Sequence, residues 1–454
     1  MANYPVIKTF IFKNNCYYYD YFSNYIYHIN KEQYRELQLL QKIGFEDYLE
    51  LTRADTAYAD VKKLIAGKRI NGDIINDIHH LYSNCYIDIC HRCVSKLQLQ
   101  ITRNCNFNCR YCVYTKQSKI GRSHEDTDMT WNTAKLSVDF LFEHSTDTNE
   151  IFINFYGGEP FLNFDVIKKT VEYANRKFLI KKVNYAAITN GSMMSQQIID
   201  FLIKNDFVLI ISFDGNKETQ NKHRKFAKTA TDSFPVVYNN IQKIRKTNKN
   251  YFDRNVKFNA VKFLDENTKP IYDFFCNEFG KPKETINVIN ADIRGIDYFY
   301  SELSISNIST ESGYISDNPD RELERFIDTY NDKRIIGDKW IYRSNCIPGA
   351  QHLLINTYGD FYPCERVPEV DDAKVGNLNS GFDYKKIYTL LNIHNISSEK
   401  CRKCWAIRYC NMCICHCIDP ANEKISQDVK EYNCILTKSE TLRMLKKITE
   451  RSFR

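Results

Sequence analysis

Three cysteines stand in the sequence at the spacing of iron–sulfur ligands. Cys105, Cys109 and Cys112 have first three and then two residues between them. A [4Fe–4S] cluster takes four thiolates, so a group of three leaves one iron without a protein ligand and open to chemistry. Structural zinc requires four closed ligands, often as two pairs of cysteines, and the first histidine downstream is His124. The spacing therefore indicates a cluster with an open position, with zinc as the alternative.

The residues around this motif carry a family resemblance. The aromatic Tyr111 precedes the last cysteine, and the strand-like run 97–103 comes directly before the motif. From about Leu97 to Cys434 the sequence resembles the radical S-adenosylmethionine (SAM) superfamily. The resemblance implies that SAM chelates the open iron and that an electron from the cluster cleaves SAM to a 5′-deoxyadenosyl radical. This cofactor supplies the radical chemistry, and the protein supplies position and the exclusion of side reactions.

The composition bounds the class of protein. With 454 residues, 43% of them hydrophobic, the chain suffices for about two or three domains with their own cores. The 63 Lys and Arg and the 56 Asp and Glu are dispersed, so no basic patch indicates a nucleic-acid partner. The longest apolar run, 207–213, is too short to cross a membrane, and no apolar signal segment begins the sequence. We expect a cytoplasmic protein whose clustered thiols are reduced metal ligands.

Residues 1–92 have a pattern of their own, in which β-rich runs precede helical periodicity. The β-rich runs are 7–12, 16–19 and 25–29, and the helix-like runs are 34–43, 56–65 and 74–82. This order resembles the winged-helix leader-peptide-binding domain, or RiPP recognition element, of peptide-modifying enzymes. A plain N-terminal cap on the following domain is the alternative.

Residues 93–295 alternate strands with helices. Strand-like runs are 97–102, 151–155, 183–189, 208–213, 256–261 and 285–289, with helices that include 133–144, 165–177 and 197–204. Such units predict an α/β fold, a partial TIM-like (β/α)6 barrel with a parallel sheet. Cofactor sites in such folds lie at the C-terminal ends of the strands. We expect residues 296–345 to bridge this barrel to a cysteine-rich domain at 346–454.

Several motifs follow the predicted strands, and the resemblance implies that they bind SAM. The run Gly157-Gly158-Glu159-Pro160 would hold its amino group, although a tight turn is the alternative. Thr189, Asn190 and Ser212 would contact the ribose. Arg224 would bind the SAM carboxylate, which its planar fork suits, and a solvated loop residue is the alternative. Val261 would contact the adenine, and a plain core residue is the alternative. With Tyr111 beside the cluster, the expected cofactor residues are Tyr111, Gly157, Gly158, Glu159, Pro160, Thr189, Asn190, Ser212, Arg224 and Val261.

The last hundred residues are rich in cysteine. Their spacing resembles the SPASM domain, which carries two auxiliary [4Fe–4S] clusters in radical SAM enzymes that mature peptides and proteins. The resemblance implies one cluster on Cys401, Cys404, Cys410 and Cys434. It implies a second on Cys346, Cys364 and one or two of Cys413, Cys415 and Cys417, because Ile414 occupies the place of the usual cysteine. We expect Cys413 or Cys417 to serve, and a zinc ribbon is the alternative.

These features together predict a radical SAM oxidoreductase that modifies a ribosomally made peptide. The expected reaction joins a Cys sulfur to a carbon of an acceptor residue in a Cys-rich precursor, as in ranthipeptides and sactipeptides. The expected partners are the precursor with its leader and a reductant such as flavodoxin or ferredoxin, and the cofactors are SAM and three [4Fe–4S] clusters. A formylglycine-type sulfatase maturase and a peptide C–C cyclase are alternative enzymes. A non-catalytic iron–sulfur or zinc scaffold that binds a peptide is the alternative outside enzymes.

Overall fold

The computed structural model describes residues 4–67, 69–72, 74–112, 114, 123–263, 266–291, 319–342, 346–419 and 421–452. The strands in this part of the chain are β1 (Ile7–Phe12), β2 (Asn15–Asp20), β3 (Tyr25–Ile29), β4 (Asp77–His80), β5 (Lys96–Thr102), β6 (Phe107–Cys109), β7 (Glu150–Gly157), β8 (Lys182–Thr189), β9 (Val208–Ser212), β10 (Arg224–Phe226), β11 (Val256–Lys262), β12 (Ile286–Asn290), β13 (Lys339–Tyr342), β14 (Leu353–Ile355), β15 (Asp360–Tyr362), β16 (Gly376–Asn377), β17 (Gly381–Phe382), β18 (Ile418–Asp419) and β19 (Lys424–Ile425).

Helices fill most of the connections between these strands. They are α1 (Lys31–Ile43), α2 (Phe45–Leu51), α3 (Ala59–Ala66), α4 (Tyr86–Arg92), α5 (Trp131–Glu143), α6 (Phe164–Lys177), α7 (Gln196–Lys204), α8 (Lys217–His223), α9 (Phe234–Thr247), α10 (Lys249–Asn255), α11 (Lys269–Phe279), α12 (Pro319–Asn331), α13 (Tyr384–Leu391), α14 (Ser398–Arg402) and α15 (Gln427–Ser452). None of the helices in the described ranges is long and apolar enough to cross a membrane.

Ten of the described strands form one mixed sheet in the order β12-β11-β9-β8-β7-β5-β14-β15-β16-β17. The first six are parallel neighbours, as the alternation of strands and helices in the sequence predicts. The sheet continues into the cysteine-rich region because β14 pairs in parallel with β5, Leu353 opposite Leu97. The apolar side chains of each strand pack under the helices in one continuous core.

Local sequence explains where the helices of this sheet begin. Thr130 accepts a hydrogen bond from the Thr133 amide and caps α5. Ser195 caps α7 in the same way through the amide of Ile198. Such side-chain oxygens satisfy amides that the first helical turn leaves without partners. The chain therefore turns sharply from each strand into its helix, and the strand ends stay together at one edge.

The N-terminal strands form a separate antiparallel sheet in the order β1-β2-β3. Alternate residues of β2 point to opposite faces, and both faces are buried. Cys16 and Tyr18 pack with the helices α1 to α3. Tyr17 and Tyr19 pack instead with residues of the cysteine-rich region, among them Tyr409. The sheet therefore lies between its own helices and the C-terminal part of the chain.

Polar contacts fix this second face. Asn24 is buried, and its amide nitrogen donates to the carbonyls of Thr329, Tyr330 and Asp332. Its Oδ1 accepts from the hydroxyls of Tyr19 and Tyr409 at 2.8 and 2.9 Å.

The buried Arg408 adds further bonds across the same interface. Its guanidinium donates to the carbonyls of Tyr21, Phe22 and Arg334. One set of buried hydrogen bonds thus joins the N-terminal turn, α12 and the cysteine-rich region.

The expected helix at 74–82 is wrong. Residues 77–80 form β4, which pairs in parallel with β13, Asp77 opposite Lys339 and His80 opposite Tyr342. A short apolar run does not distinguish strand from helix by periodicity, and the partner strand lies far along the chain. The bridge expected at 296–345 falls partly outside the described residues, and its described part contains α12 and β13.

Candidate active site

The loop that carries Cys105, Cys109 and Cys112 leaves the end of β5 and is fixed by β6. That short strand pairs antiparallel with β10, placing Cys109 opposite Arg224. Cys109 is 8% exposed, whereas Cys105 and Cys112 are half-buried. The three sulfurs therefore lie at the C-terminal end of the first barrel strand, where the sequence places them.

Nitrogen groups surround the three sulfurs. The amide of Phe107 donates to Cys105 Sγ at 3.4 Å, and Asn190 Nδ2 lies 3.9 Å from the same atom. His124 Nε2 lies 3.7 Å from Cys112 Sγ. Hydrogen bonds to sulfur are among the features that tune an iron–sulfur cluster, so the two donors at Cys105 fit a thiolate on iron. His124 instead uses its Nδ1 proton on the Arg103 carbonyl at 3.1 Å.

Burial raises the pKa of Cys105 to about 12 and that of Cys109 further. A metal must displace these protons because thiolates are the ligands. Across the described residues, no three potential ligands already stand at the spacing of a single bound ion. Three thiolates on three different irons are spaced more widely than that.

The glycine pair after β7 makes room for the cysteine loop. A Cβ on Gly157 would lie 2.2 Å from the carbonyl oxygen of Thr102, and one on Gly158 would lie 2.1 Å from that of Asn104. The amides of Gly158 and Glu159 donate to these same two carbonyls, each at 2.9 Å. The two glycines are therefore required by backbone packing, which holds the cysteine loop against the next strand end.

Glu159 lies beneath this turn and is fully buried. Its carboxylate accepts from Thr189 Oγ1 at 2.8 Å and from the Asn190 amide at 2.7 Å. It also accepts from the amide of Phe161 at 3.2 Å. Burial raises the pKa of Glu159 to about 7, and the three hydrogen bonds oppose that rise. Glu159 thus ties the end of β7 to the end of β8.

Asn190 links that strand end to the cysteine loop. Besides its contact with Cys105, its Nδ2 donates to Asn106 Oδ1 at 2.8 Å. Its Oδ1 accepts from the amide and hydroxyl of Ser192. The structure therefore brings Thr189 and Asn190, two of the three predicted ribose residues, together with Glu159 and the loop. The third, Ser212, is half-buried at the end of β9, the strand next to β8.

A buried ion pair lies behind Cys109. Arg224 donates through Nε and Nη2 to the two oxygens of Asp214, at 3.0 and 3.2 Å, and both side chains are inaccessible or nearly so. Its Nη1 lies 3.9 Å from Cys109 Sγ. The fork that the sequence assigns to the SAM carboxylate is thus occupied by Asp214, and Nη1 faces the cluster sulfur.

Two further predicted residues join this pair. The Tyr111 hydroxyl donates to Asp214 at 2.5 Å, and the Arg224 guanidinium lies 5.2 Å from the Tyr111 ring. The amide of Val261 donates to Asp214 at 2.9 Å. Asp214 is not among the residues that the sequence predicts to bind SAM. Its place at the end of a predicted strand was the signal that could have selected it.

The C-terminal cysteines fall into two groups, and the members of each group shift one another's pKa. Burial raises the pKa of Cys346 to about 11 and of Cys364 to about 12, and Cys413 adds to both. A hydrogen bond with Cys415 lowers the pKa of Cys413 to about 6. Cys346, Cys364 and Cys413 therefore form one group, with Cys415 beside it.

The second group contains Cys401, Cys404, Cys410 and Cys434. Burial raises the pKa of Cys410 to about 12, and the other three members add to it. Cys417 is fully buried, and burial raises its pKa. Lys430 opposes that rise, and Cys413, Cys434 and Cys410 add to it. Cys417 therefore lies near members of both groups.

Comparison with known proteins identifies the class of enzyme. Residues 99–275 match the Radical SAM superfamily. Over 354 residues the chain is 26% identical to the radical SAM cyclopropyl synthase TigE of Paramaledivibacter caminithermalis, covering 70% of this chain and 67% of that protein. Over 348 residues it is 25% identical to the cysteine-type anaerobic sulfatase-maturating enzyme of Clostridium novyi, covering 68% and 85%.

A solved structure shares the fold. Native anSMEcpe with bound AdoMet and Kp18Cys peptide aligns with a TM-score of 0.53 and 19% identity, covering 77% of this chain and 98% of that one. The chain therefore contains a radical SAM domain and is related to the cyclopropyl synthase and the sulfatase-maturating enzymes. The family implies a [4Fe–4S] cluster and SAM, and Cys105, Cys109 and Cys112 are the residues whose surroundings fit that cluster.

Proposed function

We propose that this radical SAM enzyme forms thioether crosslinks in a Cys-rich precursor peptide. The observation that supports the proposal is the second set of cysteines, whose members lie close enough to shift one another's pKa in the region that continues the sheet beyond β5. A three-cysteine loop suffices for SAM cleavage, whereas crosslinking through sulfur also needs a site that takes up an electron. Two auxiliary clusters on these groups would supply it, as the expected domain 346–454 implies.

The peptide substrate is supported by the relatives. The related Clostridium novyi protein matures sulfatases by its name, and the solved structure with the same fold holds a peptide. The concave face of the barrel sheet offers groups that suit peptide backbone, since half-buried amides lie along β7, β8 and β11, at Asn154, Asn184 and Asn259.

The reaction removes two hydrogen atoms from the peptide. The acceptor carbon loses a hydrogen atom, and the cysteine thiol loses a proton and one electron as the carbon–sulfur bond forms. SAM and its cluster, when bound, supply the radical that takes the hydrogen atom. The chain holds the cysteine loop in place through Asn190, Glu159 and the glycine turn, and the C-terminal cysteines would hold the cluster that takes up the electron.

The N-terminal module is proposed to bind the leader. Both faces of its sheet are buried, so among the described residues β1 and β3 offer their edges, where an extended peptide adds as a further strand. The module ends before β4, because β4 pairs with β13 and α4 contacts the C-terminal region through Tyr86 and Tyr384. We therefore place its boundary earlier than residue 92.

Formylglycine formation on a sulfatase is the second candidate, favoured by the match that covers 85% of the Clostridium novyi maturase. One experiment separates the two. The full-length protein is reconstituted anaerobically with iron, sulfide, SAM and dithionite and given either a Cys-rich precursor encoded beside its gene or a Cys-bearing sulfatase peptide.

Loss of two hydrogens per crosslink in the precursor, without free thiol, is the expected mass-spectrometric result. Conversion of the sulfatase peptide alone would establish the second candidate. Absence of 5′-deoxyadenosine under reducing conditions would refute both.

A further inference from the structure

A lysine is buried among the C-terminal cysteines. Lys430 is 0% exposed. Its Nζ lies 3.2 Å from Cys401 Sγ and also donates to the Ser397 hydroxyl. Cys434 follows one helical turn later on α15, so it shares the face of Lys430. The ammonium therefore lies inside the second cysteine group.

In the described part of the chain no carboxylate lies within ion-pair distance of Lys430. The adjacent Glu431 acts on it from farther away and pairs with Lys400 at 2.5 Å on the surface. A buried cation without a partner is unfavourable by several kcal/mol. Its position in the first turn of α15 adds to this, because the positive end of the helix dipole repels a cation there. Anionic thiolates, or an anionic cluster bound by them, are the groups that can compensate.

A second nitrogen contacts the same group. His394 is buried, and its Nε2 lies 3.4 Å from Cys410 Sγ. The Ser397 hydroxyl lies 3.6 Å from Cys401 Sγ. Two ligands of one expected cluster thus lie within hydrogen-bond distance of nitrogen groups, one of which is the Lys430 ammonium.

Charges of both signs act on both cysteine groups. Arg366 and Glu365 act on the first, and Glu431 acts on Cys434 of the second alongside Lys430 and Lys438. Net charge, hydrogen bonds to sulfur and burial set the reduction potential of an iron–sulfur cluster. A buried ammonium 3.2 Å from Cys401 Sγ should therefore raise the potential of a cluster on the second group.

We infer that Lys430 is a positioning residue for the auxiliary cluster on Cys401, Cys404, Cys410 and Cys434, and that its charge stabilises the reduced form of that cluster. This inference rests on the proposed function, since it requires the auxiliary cluster. A higher potential would let a cluster on Cys401, Cys404, Cys410 and Cys434 retain the electron released by crosslinking.

The test compares three full-length variants reconstituted anaerobically, Lys430→Met, Lys430→Arg and Lys438→Met. Lys438 is an exposed cation on the same helix that acts on Cys404 and Cys434, and it is the matched control. Iron content and the midpoint potentials are measured by redox titration with electron paramagnetic resonance. Lys430→Met is expected to shift one auxiliary midpoint to a more negative value, while Lys430→Arg and Lys438→Met stay close to the wild type.

The iron content and the midpoint potentials of these variants together support or overturn the role of Lys430. Unchanged midpoints in Lys430→Met with full iron would overturn the inference while leaving the proposed function intact. Loss of about four irons in Lys430→Met but not in Lys430→Arg would support it, because the charge is then required for the cluster. Equal loss in both variants would overturn it in favour of a role in packing alone. A wild-type protein with only about four irons would refute the auxiliary clusters and with them the inference.

Discussion

The two cysteine regions use the same ligand in opposite electrostatic settings. Behind the barrel loop, the positive charge nearest Cys109 belongs to Arg224, which Asp214 neutralises with a bidentate pair. In the C-terminal region, Lys430 lies against Cys401 with no such carboxylate among the described residues. An uncompensated cation favours the reduced cluster, and a neutralised one does not. Under the proposed function, the barrel site would donate an electron and the C-terminal site would accept one.

Removing the barrel ligands tests the largest difference between the two regions. We expect the triple variant Cys105→Ala, Cys109→Ala and Cys112→Ala to lose all formation of 5′-deoxyadenosine. Of about twelve irons per reconstituted chain, about eight should remain in the C-terminal region. Chromatography of the nucleoside products and iron analysis measure both. Continued SAM cleavage, or loss of all iron, would show that the two regions are not independent.

Asp214→Asn would leave a buried cation without a carboxylate partner at the barrel site, as at Lys430 in the C-terminal region. The substitution leaves Arg224 charged and buried without its partner, and breaking such a pair destabilises a protein by about 3–5 kcal/mol. We also expect slower SAM cleavage, because an unpaired cation 3.9 Å from Cys109 Sγ makes the cluster a weaker reductant. Urea unfolding and the rate of 5′-deoxyadenosine formation are the measurements.

Asp232→Asn is the matched control for that pair. Asp232 pairs with Lys225 at 3.8 Å, and both side chains are about half exposed. Surface pairs contribute about 0–1 kcal/mol, so this variant should unfold like the wild type. A similar loss in both variants would argue against a special role for the buried pair.

Gly158→Ala tests the backbone packing that holds the barrel loop. Its Cβ would meet the Asn104 carbonyl at 2.1 Å, and overpacking of this kind destabilises by about 1–3 kcal/mol. We expect incomplete iron occupancy at the barrel site and unchanged auxiliary signals in electron paramagnetic resonance. Gly337→Ala, where nothing lies within 4 Å of the new Cβ, should behave as wild type. Full occupancy in Gly158→Ala would show that the loop adjusts.

The smallest effect is expected at Cys415. It lies beside Cys413 rather than within either group, and two ordinary clusters need eight of the nine C-terminal cysteines. Cys415→Ala should therefore keep full iron, whereas Cys413→Ala and Cys417→Ala should still cleave SAM but lose crosslinking. Iron analysis and peptide mass spectrometry check this. Loss of auxiliary iron in Cys415→Ala alone would reverse the ligand assignment and leave the enzyme class unaffected.

The sequence predicts the barrel well because its signals are local. The apolar runs of β1 and β3 coincide with the observed strands, and those of the barrel strands agree to within two residues at their ends. The run 74–82 fails because β4 depends on a partner at 339–342. Periodicity carries no information about such a distant neighbour.

The site is predicted in part for the same reason. The cysteine loop and the glycine turn are short motifs with fixed spacing. The partners of Glu159, Asp214 and Lys430 come from distant segments, and a single lysine in a helical turn carries no signal in the sequence. Which cysteines share a group depends on how α15 packs, so Cys417 stays ambiguous from spacing and lies near members of both groups in the structure.

The buried bonds of Asn24 and Arg408 bear on how the molecule unfolds. Because the N-terminal sheet shares its core with the cysteine-rich region, the two cannot open separately without exposing Tyr19 and Tyr409. Truncation before β4 would remove one wall of that core rather than detach a free module. Chelation of iron at the C-terminal cysteines should then increase amide hydrogen exchange in β2, far along the chain, while β7 and β8 stay protected. The leader-binding module and the electron-accepting region would thus be one cooperative unit.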